Sequence, residues 1–230
     1  MRSVVVPTYN EEERIGPAIK ALLELEDIEI IISDDGSKDR TLDVVKGFLK
    51  DNKNVALISE EHRGKGAALK RGLAACKGRI LGFLDADLSA QPKELERLFD
   101  AVESRNVDIA IASRELPGSI IPVKQPFHRR LLGSAYSIIA RTLFGVDVYD
   151  FQCGCKAFKR EVWEGVEVKA DGFVFDTELL AKANARGFRI KEMSITWRDD
   201  KRTNVNPIKD PLKMFLGLLK IKWQLMREKG

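Results

Sequence analysis

The chain has 230 residues, 44% of them hydrophobic and 32% charged, which predicts one sizeable hydrophobic core and excludes a disordered chain. The 39 Lys and Arg residues and 35 Asp and Glu residues leave a net charge of only +4, spread along the chain, which argues against a nucleic-acid partner. The cysteine count is odd and no signal peptide precedes Val4, so we expect free thiols in a reducing compartment; every apolar run is shorter than the ~18 residues of a membrane span.

Short apolar runs of strand length alternate with helical patterns in the first half of the chain. The predicted strands cover residues 3–6, 28–32, 55–58, 80–84 and 107–112. The predicted helices cover residues 11–25, 41–49, 67–76 and 92–103. The strands are rich in Val, Ile and Leu, as strands buried on both faces are. Because strand–helix–strand crossovers are right-handed, this series predicts an α/β fold with a mostly parallel sheet, helices on both faces, and ligands beyond the carboxyl ends of its strands.

The pattern changes after residue 113. A proline-containing loop leads to a helix that begins at the basic pair Arg129 and Arg130 and keeps its apolar periodicity through Leu143. The elements predicted after it are a strand at 156–159, a helix at 175–185, a strand at 189–197 and a last helix at 211–227. We expect these strands to complete the same sheet, giving a main domain at residues 1–205 and a C-terminal amphipathic helix within residues 206–230.

Polar clusters follow three of the predicted strands. They are Pro-Thr-Tyr-Asn-Glu at residues 7–11, Asp-Asp-Gly-Ser at 34–37 and Asp-Ala-Asp at 85–87. Three clusters at strand ends indicate a site in these loops. Asp34 and Asp35 also have a structural interpretation, in which they cap the helix that starts near residue 41, aided by Ser37 or Asp39. The two interpretations are compatible.

Asp85 and Asp87 are separated by one residue at the end of an apolar strand. Two carboxylates this close repel each other unless a cation or hydrogen-bond donors neutralise them. Mg²⁺ or Mn²⁺ suits one or two carboxylates plus substrate phosphate oxygens and water, and a chain whose only histidines are His62 and His128 is consistent with oxygen ligands. We therefore predict a divalent metal site, with helix capping as the alternative.

Three further groups have weaker functional signals. Cys-Gly-Cys at 153–155 has no third or fourth ligand nearby for a soft metal. Gly-Lys-Gly at 64–66 is not a P-loop, and Lys65 is either a phosphate ligand or a surface lysine in a turn. Asp176 and Glu178 at a helix start either stabilise its positive end or serve the acceptor side of a site.

Together these motifs, with Ser113-Arg114, resemble the family 2 glycosyltransferases, which have a GT-A (Rossmann-like) fold. Within that family the chain is most similar to the polyprenyl (dolichyl) phosphate sugar synthases. The motifs at 150–156 and 175–178 resemble those of the dolichyl-phosphate glucose and mannose enzymes. The resemblance covers nearly the whole chain and implies that residues 1–205 form a GT-A catalytic domain.

The resemblance implies roles on the donor side. Pro7, Tyr9 and Glu11 correspond to positions that hold the nucleotide, and Asp35 corresponds to one that reads the base or ribose. Lys65 is a candidate for contact with a phosphate of the same ligand. A ring and a carboxylate can grip the nucleoside in such a site.

The resemblance also implies a metal and an anion site. Asp85 and Asp87 correspond to the metal and nucleotide-sugar motif, where a cation offsets the charge that grows on the departing pyrophosphate. Arg114 with Arg129 or Arg130 resembles the basic residues that meet phosphate in the mannose enzymes, and the spacing leaves the choice between Arg129 and Arg130 open. The arginine fork suits phosphate oxygens.

These implications describe an inverting, metal-dependent glycosyltransferase. It moves a sugar, glucose or mannose, from a nucleoside diphosphate sugar to dolichyl or polyprenyl phosphate with Mg²⁺ or Mn²⁺. Such an acceptor needs no catalytic base, because a phosphate monoester with a second pKa near 6 is already ionised at neutral pH. The alternatives are a family 2 transferase with a soluble or polysaccharide hydroxyl acceptor, and a non-catalytic nucleotide-sugar binding protein.

The last predicted helix is amphipathic. Its broad apolar face includes Trp223, and Lys213, Lys220 and Arg227 lie on the other side. This pattern is typical of a helix at a membrane interface, and we expect a peripheral protein at the cytoplasmic face of a membrane. In the alternative interpretation the apolar face packs on the domain or on a second subunit of a homodimer.

Overall fold

The computed structural model describes residues 1–104, 106–123, 125–200 and 209–228, which fold around a seven-stranded sheet with helices on both faces. The strands are β1 Arg2–Thr8, β2 Ile28–Asp34, β3 Val55–Ser59, β4 Ile80–Leu84, β5 Ile109–Ser113, β6 Cys155–Lys159 and β7 Ile190–Ser194. The helices are α1 Ile15–Leu22, α2 Thr41–Leu49, α3 Lys65–Ala75, α4 Pro92–Glu103, α5 Phe127–Phe144, α6 Arg160–Gly165, α7 Phe175–Ala185 and α8 Lys209–Glu228. The predicted α/β class with a mostly parallel sheet is confirmed.

Alternating residues of the central strand β1 build the two halves of the core. Val4 and Val6 pack with α1, α2 and α4 on one face, and Val5 packs with α3, α5, α6, α7 and α8 on the other. All three valines are fully buried, and burial of one such side chain contributes about 1.5–3 kcal/mol to stability. The uninterrupted Val run in the sequence therefore reflects a strand that is covered on both sides.

The strand order is β3-β2-β1-β4-β6-β5-β7. β6 pairs antiparallel with both β4 and β5, and the other pairings are parallel. The prediction that the second block completes the same sheet is confirmed, but β6 is inserted between β4 and β5 and does not extend an edge. Because β6 runs antiparallel, its first residue, Cys155, lies beside Leu84 at the carboxyl end of β4. The motif at 150–156 is thereby brought to the edge where the polar clusters lie.

Helix α8 packs on the domain through one side. Leu218 and Ile221 are buried, and α8 contacts α5 and α7. Met214 and Leu225 are half-buried, and six other large apolar side chains of α8 are exposed: Leu212, Phe215, Leu216, Leu219, Trp223 and Met226. No helix in the described part of the chain is long and apolar enough to cross a membrane. The predicted boundary between residues 205 and 206 lies outside the described residues.

Candidate active site

A cleft of about 620 Å³ opens beyond the carboxyl ends of β1, β2 and β4. We call it the main cleft, and parts of all three polar clusters line it. It also receives loop residues 172–174 and two residues of α8. The predicted site residues that line it are Pro7, Tyr9, Glu11, Asp35, Lys65, Asp85 and Asp87.

Asp35 organises the floor of the main cleft. Its Oδ1 accepts hydrogen bonds from the Arg63 amide at 3.0 Å and from Arg71 Nη2 at 2.8 Å. Its Oδ2 accepts from the Gly64 amide at 2.7 Å and lies 2.7 Å from His62 Nδ1. Each oxygen thus already has two donors from the chain itself. Asp35 therefore fixes the turn at 62–64 and the orientation of the His62 ring.

His62 stacks on Tyr9, with ring centroids 4.2 Å apart and planes 24° from parallel. The pair forms an aromatic wall of the main cleft against which a planar base can pack. His62 was not predicted as a site residue. The available signal was its position two residues before the Gly-Lys-Gly motif.

Asp34 does not cap α2, so that expectation is wrong for this residue as it is for Asp35. The Asp34 Oδ2 atom accepts the amides of Gly36 and Ser37, each at 3.0 Å, and closes the turn after β2. The amide of Thr41 at the start of α2 instead donates to Asp39 Oδ1 at 2.9 Å. The carboxylate oxygens of Asp34 and Asp35 accept hydrogen bonds within the loops after β2 and β3, so neither residue caps α2.

Glu11 is one of four acidic residues that line the main cleft, with Asp35, Asp85 and Asp87. Burial raises its pKa; an ion pair with Arg14, at 2.9 Å, opposes this effect, and the nearby charges of Asp87 and Asp85 raise the pKa further. The net result is a pKa above the ordinary value. The Glu11 amide also donates to Thr41 Oγ1 at 2.7 Å, which ties the loop after β1 to α2.

Asp85 and Asp87 face the main cleft with different partners. Lys65 Nζ lies 2.6 Å from Asp85 Oδ1, and Asp87 Oδ1 accepts the Ser89 amide at 2.8 Å. Burial lowers the pKa of Lys65, but the charges of Asp85, Asp176 and Asp87 outweigh it and raise the pKa. Two carboxylates that converge on an open cleft supply oxygen ligands of the type that Mg²⁺ and Mn²⁺ prefer, so these residues fit such an ion. Among the described residues no three His, Cys, Asp or Glu side chains converge on one point.

The glycines of the Gly-Lys-Gly motif allow a loop to close one wall of the main cleft. A Cβ on Gly64 would come within 2.6 Å of the Asp171 carbonyl oxygen, and one on Gly66 within 2.7 Å of the Ala170 carbonyl oxygen. Gly64 also has a φ of +120°, which other residues rarely adopt. The backbone of residues 170–171 can therefore pack directly on the start of α3, which places residues 172–174 in the cleft.

The three predicted arginines lie together, but outside the main cleft. Arg114, Arg129 and Arg130 line a second cavity of about 100 Å³, which we call the arginine cavity. Gln152 also lines it and donates through Nε2 to the carbonyl oxygen of Phe173 at 3.2 Å. Because Phe173 lines the main cleft, the two cavities are neighbours.

Arg114 is engaged by the fold. Its guanidinium donates to both oxygens of Asp150, at 2.7 and 2.8 Å, and lies over the Trp197 ring at 5.2 Å. Burial alone would raise the pKa of Asp150, but the Arg114 charge and hydrogen bonds lower it overall. Arg129 Nη1 lies 3.9 Å from Asp199, and Arg130 is exposed.

Asp176 and Glu178 lie inside the domain and line neither cavity. Asp176 Oδ1 is 2.5 Å from Lys156 Nζ, and Glu178 Oε1 is 2.8 Å from Lys182 Nζ. All four side chains are at most 3% exposed. These acidic residues form buried ion pairs at the start of α7.

All three cysteines are free, as predicted, and the structure shows that all three are buried. Burial raises the pKa of Cys76 and of Cys153 to about 12, and it raises the pKa of Cys155 as well. These thiols are therefore protonated and poorly reactive at neutral pH.

Comparison with known proteins gives concordant results. The model of the family described as glycosyl transferase family 2 matches residues 3–166. The glycosyltransferase AglD of Haloferax volcanii is 31% identical over 97% of this chain, which spans 37% of AglD. The dolichyl-phosphate beta-glucosyltransferase of Dictyostelium discoideum is 30% identical over 97% of this chain and 74% of its own length. The polyprenol monophosphomannose synthase of Mycolicibacterium smegmatis is 34% identical over 85% of this chain and 77% of its own length.

A solved structure shares the fold. It is glucosyl-3-phosphoglycerate synthase from Mycobacterium tuberculosis in complex with Mn²⁺, UDP and glucosyl-3-phosphoglycerate. Its TM-score is 0.76 at 22% sequence identity, over 96% of this chain and 79% of that chain. At this identity the similarity concerns the fold alone.

Proposed function

The chain belongs to glycosyl transferase family 2, and from this premise we propose that it transfers glucose or mannose from a nucleoside diphosphate sugar to dolichyl or polyprenyl phosphate. The observation that carries the proposal is the convergence of an aromatic wall, two carboxylates and a lysine on the main cleft, beside a cavity lined by arginines. The relatives from Dictyostelium discoideum and Mycolicibacterium smegmatis, whose names specify lipid-phosphate acceptors, support the choice of acceptor.

The main cleft binds the donor in this proposal. Its volume of about 620 Å³ is in the range of sites for small molecules. The base packs against the Tyr9–His62 wall, with Pro7 at the end of β1 beside it. Asp35 acts by holding His62 and the turn at 62–64, since its own oxygens are already bonded.

Asp85 and Asp87 hold the divalent cation, and Lys65 lies close enough to share the phosphate charge. When bound, Mg²⁺ or Mn²⁺ offsets the negative charge that develops on the pyrophosphate as the sugar leaves. The presence of Mn²⁺ and UDP in the solved structure with the same fold supports a divalent ion and a nucleoside diphosphate.

The arginine cavity receives the acceptor phosphate. Arg129 and Arg130 supply donors to its oxygens, and Arg114, fixed by Asp150, adds positive charge behind them. Two anions must be brought together for the reaction, and positive charge on both sides reduces their repulsion. An ionised phosphate attacks without a proton-accepting side chain, which agrees with the location of Asp176 and Glu178 in buried ion pairs.

The exposed apolar residues of α5 and α8 rest on a membrane surface in this proposal. α5 exposes Phe127, Leu131 and Leu132 on the helix that also carries Arg129 and Arg130. On α8 the exposed apolar residues fall within about 100° of the helix circumference, next to the stripe of basic residues. Apolar side chains insert into such a membrane surface while basic side chains contact its anionic headgroups. In this proposal the surface is the cytoplasmic face of the membrane. Pairing with a second copy of the chain is the competing use of the same residues.

The test is release of nucleoside diphosphate from a panel of UDP- and GDP-sugars, with one polyprenyl phosphate as acceptor and Mg²⁺ or Mn²⁺ in parallel. Release that depends on both lipid phosphate and divalent cation is expected. Turnover with soluble sugars alone would favour the hydroxyl-acceptor alternative. Donor binding without turnover on either kind of acceptor would favour the non-catalytic binding protein.

A further inference from the structure

The motif at residues 150–156 lies outside the main cleft, but its Gly154 contacts the cleft residue Asp85. A Cβ built on Gly154 would overlap the Asp85 carboxylate, and even the more distant oxygen, Oδ1, would be only 2.8 Å away. Non-bonded carbon and oxygen atoms in proteins do not lie this close together, so an added Cβ would force the carboxylate or the backbone to move. The Asp85 carboxylate therefore occupies space that exists because residue 154 has no side chain.

The backbone holds the two residues in this relation. The Asp85 amide donates to the Gly154 carbonyl oxygen at 3.0 Å, and Leu84 pairs with Cys155 in the antiparallel β4–β6 ladder. The position of Gly154 relative to Asp85 is thus set by the register of two central strands.

A buried lysine fixes the turn that carries Gly154. Lys156 Nζ is fully buried and donates to the carbonyl oxygens of Phe151 at 3.0 Å and Cys153 at 2.7 Å. Its third partner is Asp176 Oδ1 at 2.5 Å. An ammonium group has three protons, so all of its donors are used, as a buried charge requires. The turn at 151–155 is thereby linked to the first turn of α7.

We propose that Gly154 is a positioning residue for Asp85, and that the Lys156–Asp176 pair holds Gly154 in place for this task. The inference rests on the proposed function, in which Asp85 helps to bind the divalent cation. A side chain at position 154 turns the carboxylate away from the cleft. The residues around the nucleobase of the donor lie at the ends of β1 and β2 and in the turn at 62–64, and the side chain at position 154 does not displace them.

The first experiment compares Gly154→Ala with Gly47→Ala. Gly47 is an exposed residue of α2 where an added Cβ meets no atom within 4 Å, so it is a matched control. Mn²⁺ binding is measured by electron paramagnetic resonance with UDP or GDP, whichever the unchanged protein binds, and nucleotide binding is measured separately in EDTA. We expect Gly154→Ala to weaken Mn²⁺ binding about 10- to 100-fold, as loss of support around a metal ligand does, with nucleotide binding in EDTA and the Gly47→Ala variant unchanged.

A double-mutant cycle separates positioning from a general structural role. Gly154→Ala is expected to lower Tm in the unchanged background and to lower it much less when Asp85 is replaced by Ala, because the overlapping carboxylate is then gone. If Gly154→Ala alone does not fold, recovery of folding in the double variant supports the proposal. Equal losses of Tm in both backgrounds, or a double variant that also fails to fold, would overturn it.

Failure of this inference can be told apart from failure of the proposed function. If the unchanged protein binds neither nucleotide nor Mn²⁺, the proposed function fails, and the Tm cycle still decides whether Gly154 positions Asp85. If the unchanged protein binds both and Gly154→Ala binds Mn²⁺ equally well, only the positioning role is overturned.

Discussion

At the level of single residues, replacement of Asp87 is the simplest test of the proposed metal site. Its side chain lines the main cleft, and its Oδ1 accepts a hydrogen bond only from the nearby Ser89 amide among the hydrogen bonds described. We expect Asp87→Ala to reduce turnover by about 100-fold or more, since the loss of several kcal/mol of charge stabilisation corresponds to such a factor. Stability should fall by no more than about 1 kcal/mol, because only the hydrogen bond to the Ser89 amide is lost and no core packing. Steady-state rates over a Mn²⁺ titration, with unfolding curves, provide the measurement.

The control for this variant is Asp51→Ala, in an exposed turn after α2. It should behave like the unchanged protein in both assays. An Asp87→Ala enzyme with near-normal turnover and the same metal requirement would show that the metal lies elsewhere.

Arg129 and Arg130 test the acceptor side. We expect at least one of Arg129→Ala and Arg130→Ala to raise KM for polyprenyl phosphate about tenfold, because a hydrogen bond to a charged phosphate contributes about 1.5–3 kcal/mol. Binding of the nucleotide sugar should be unchanged, since neither residue lines the main cleft. Arg141→Ala is the control on the same helix, where Arg141 pairs with Asp147 at 2.6 Å.

Unchanged KM for the lipid in both variants, or weaker nucleotide binding instead, would remove the arginine cavity as the phosphate site. Arg114→Ala is a poorer probe of the same question. It leaves Asp150 buried without its cation, which costs about 3–5 kcal/mol, so lost turnover would also report on folding.

At the level of elements, sequence periodicity predicted the strands and most helices because buried strands are uniformly apolar and the helices have one apolar side. It did not predict the place of β6, since the antiparallel pairing of β6 with β4 and with β5 depends on contacts between residues far apart in sequence, such as Leu84 with Cys155. The helix predicted from residue 11 begins at Ile15, because Glu11 is held in a preceding turn by Thr41.

The candidate site was predictable to a similar extent. Strand ends identified Tyr9, Asp35, Asp85 and Asp87 as cleft residues, because parallel strands end at the same edge of a sheet. The position of His62 beside Tyr9, and the contact of Gly154 with Asp85, arise from tertiary packing that no local pattern records.

Asp108 links three strands at the opposite end of the sheet and makes their connection dependent on pH. It pairs with Lys159 at 2.8 Å and with Arg189 at 2.9 Å, and the hydrogen bond with Arg189 is the main reason why its pKa is well below the usual range. A lowered pKa means that this stabilisation is present above the unfolded-state pKa of about 3.9 and is lost as pH falls through the folded-state value. Asp108→Asn should therefore be less stable than the unchanged protein at pH 7.

The measurement for Asp108→Asn is urea unfolding between pH 7 and pH 2, with Asp51→Asn as the control. The difference in free energy of unfolding should be constant at neutral pH and shrink below about pH 4. A difference that does not depend on pH would mean that Asp108 does not stabilise the fold through its charge.

Helix α8 tests the proposed membrane surface. We expect the double variant Leu216→Glu/Leu219→Glu to lose flotation with vesicles containing anionic lipid, because both side chains are exposed on the apolar side of α8. Lys46→Gln/Lys50→Gln, on and after α2, changes the net charge equally and should float like the unchanged protein. If the unchanged protein does not float, or the α8 variant floats as well as it does, the membrane proposal is wrong.

At the level of the whole molecule, the sheet order brings the two cavities of the proposed function to one edge of the domain. The main cleft lies at the carboxyl ends of the parallel strands β1, β2 and β4. Because β6 is antiparallel, it begins at the same edge, and the loop before it brings Asp150 there to hold Arg114 in the arginine cavity. The hydrogen bond from Gln152 to the Phe173 carbonyl oxygen joins the walls of the two cavities. Donor and acceptor phosphate can therefore meet at a boundary built from the middle of the sheet.

The most direct measurement offers the enzyme three acceptors in one assay with a radiolabelled nucleotide sugar chosen from the panel: polyprenyl phosphate, polyprenol without phosphate, and 3-phosphoglycerate. We expect label to enter the lipid fraction with polyprenyl phosphate, to require Mg²⁺ or Mn²⁺ for this, and to be absent from that fraction with Asp87→Ala. Transfer to polyprenol or to 3-phosphoglycerate that equals or exceeds transfer to polyprenyl phosphate would show that the acceptor is not a lipid phosphate.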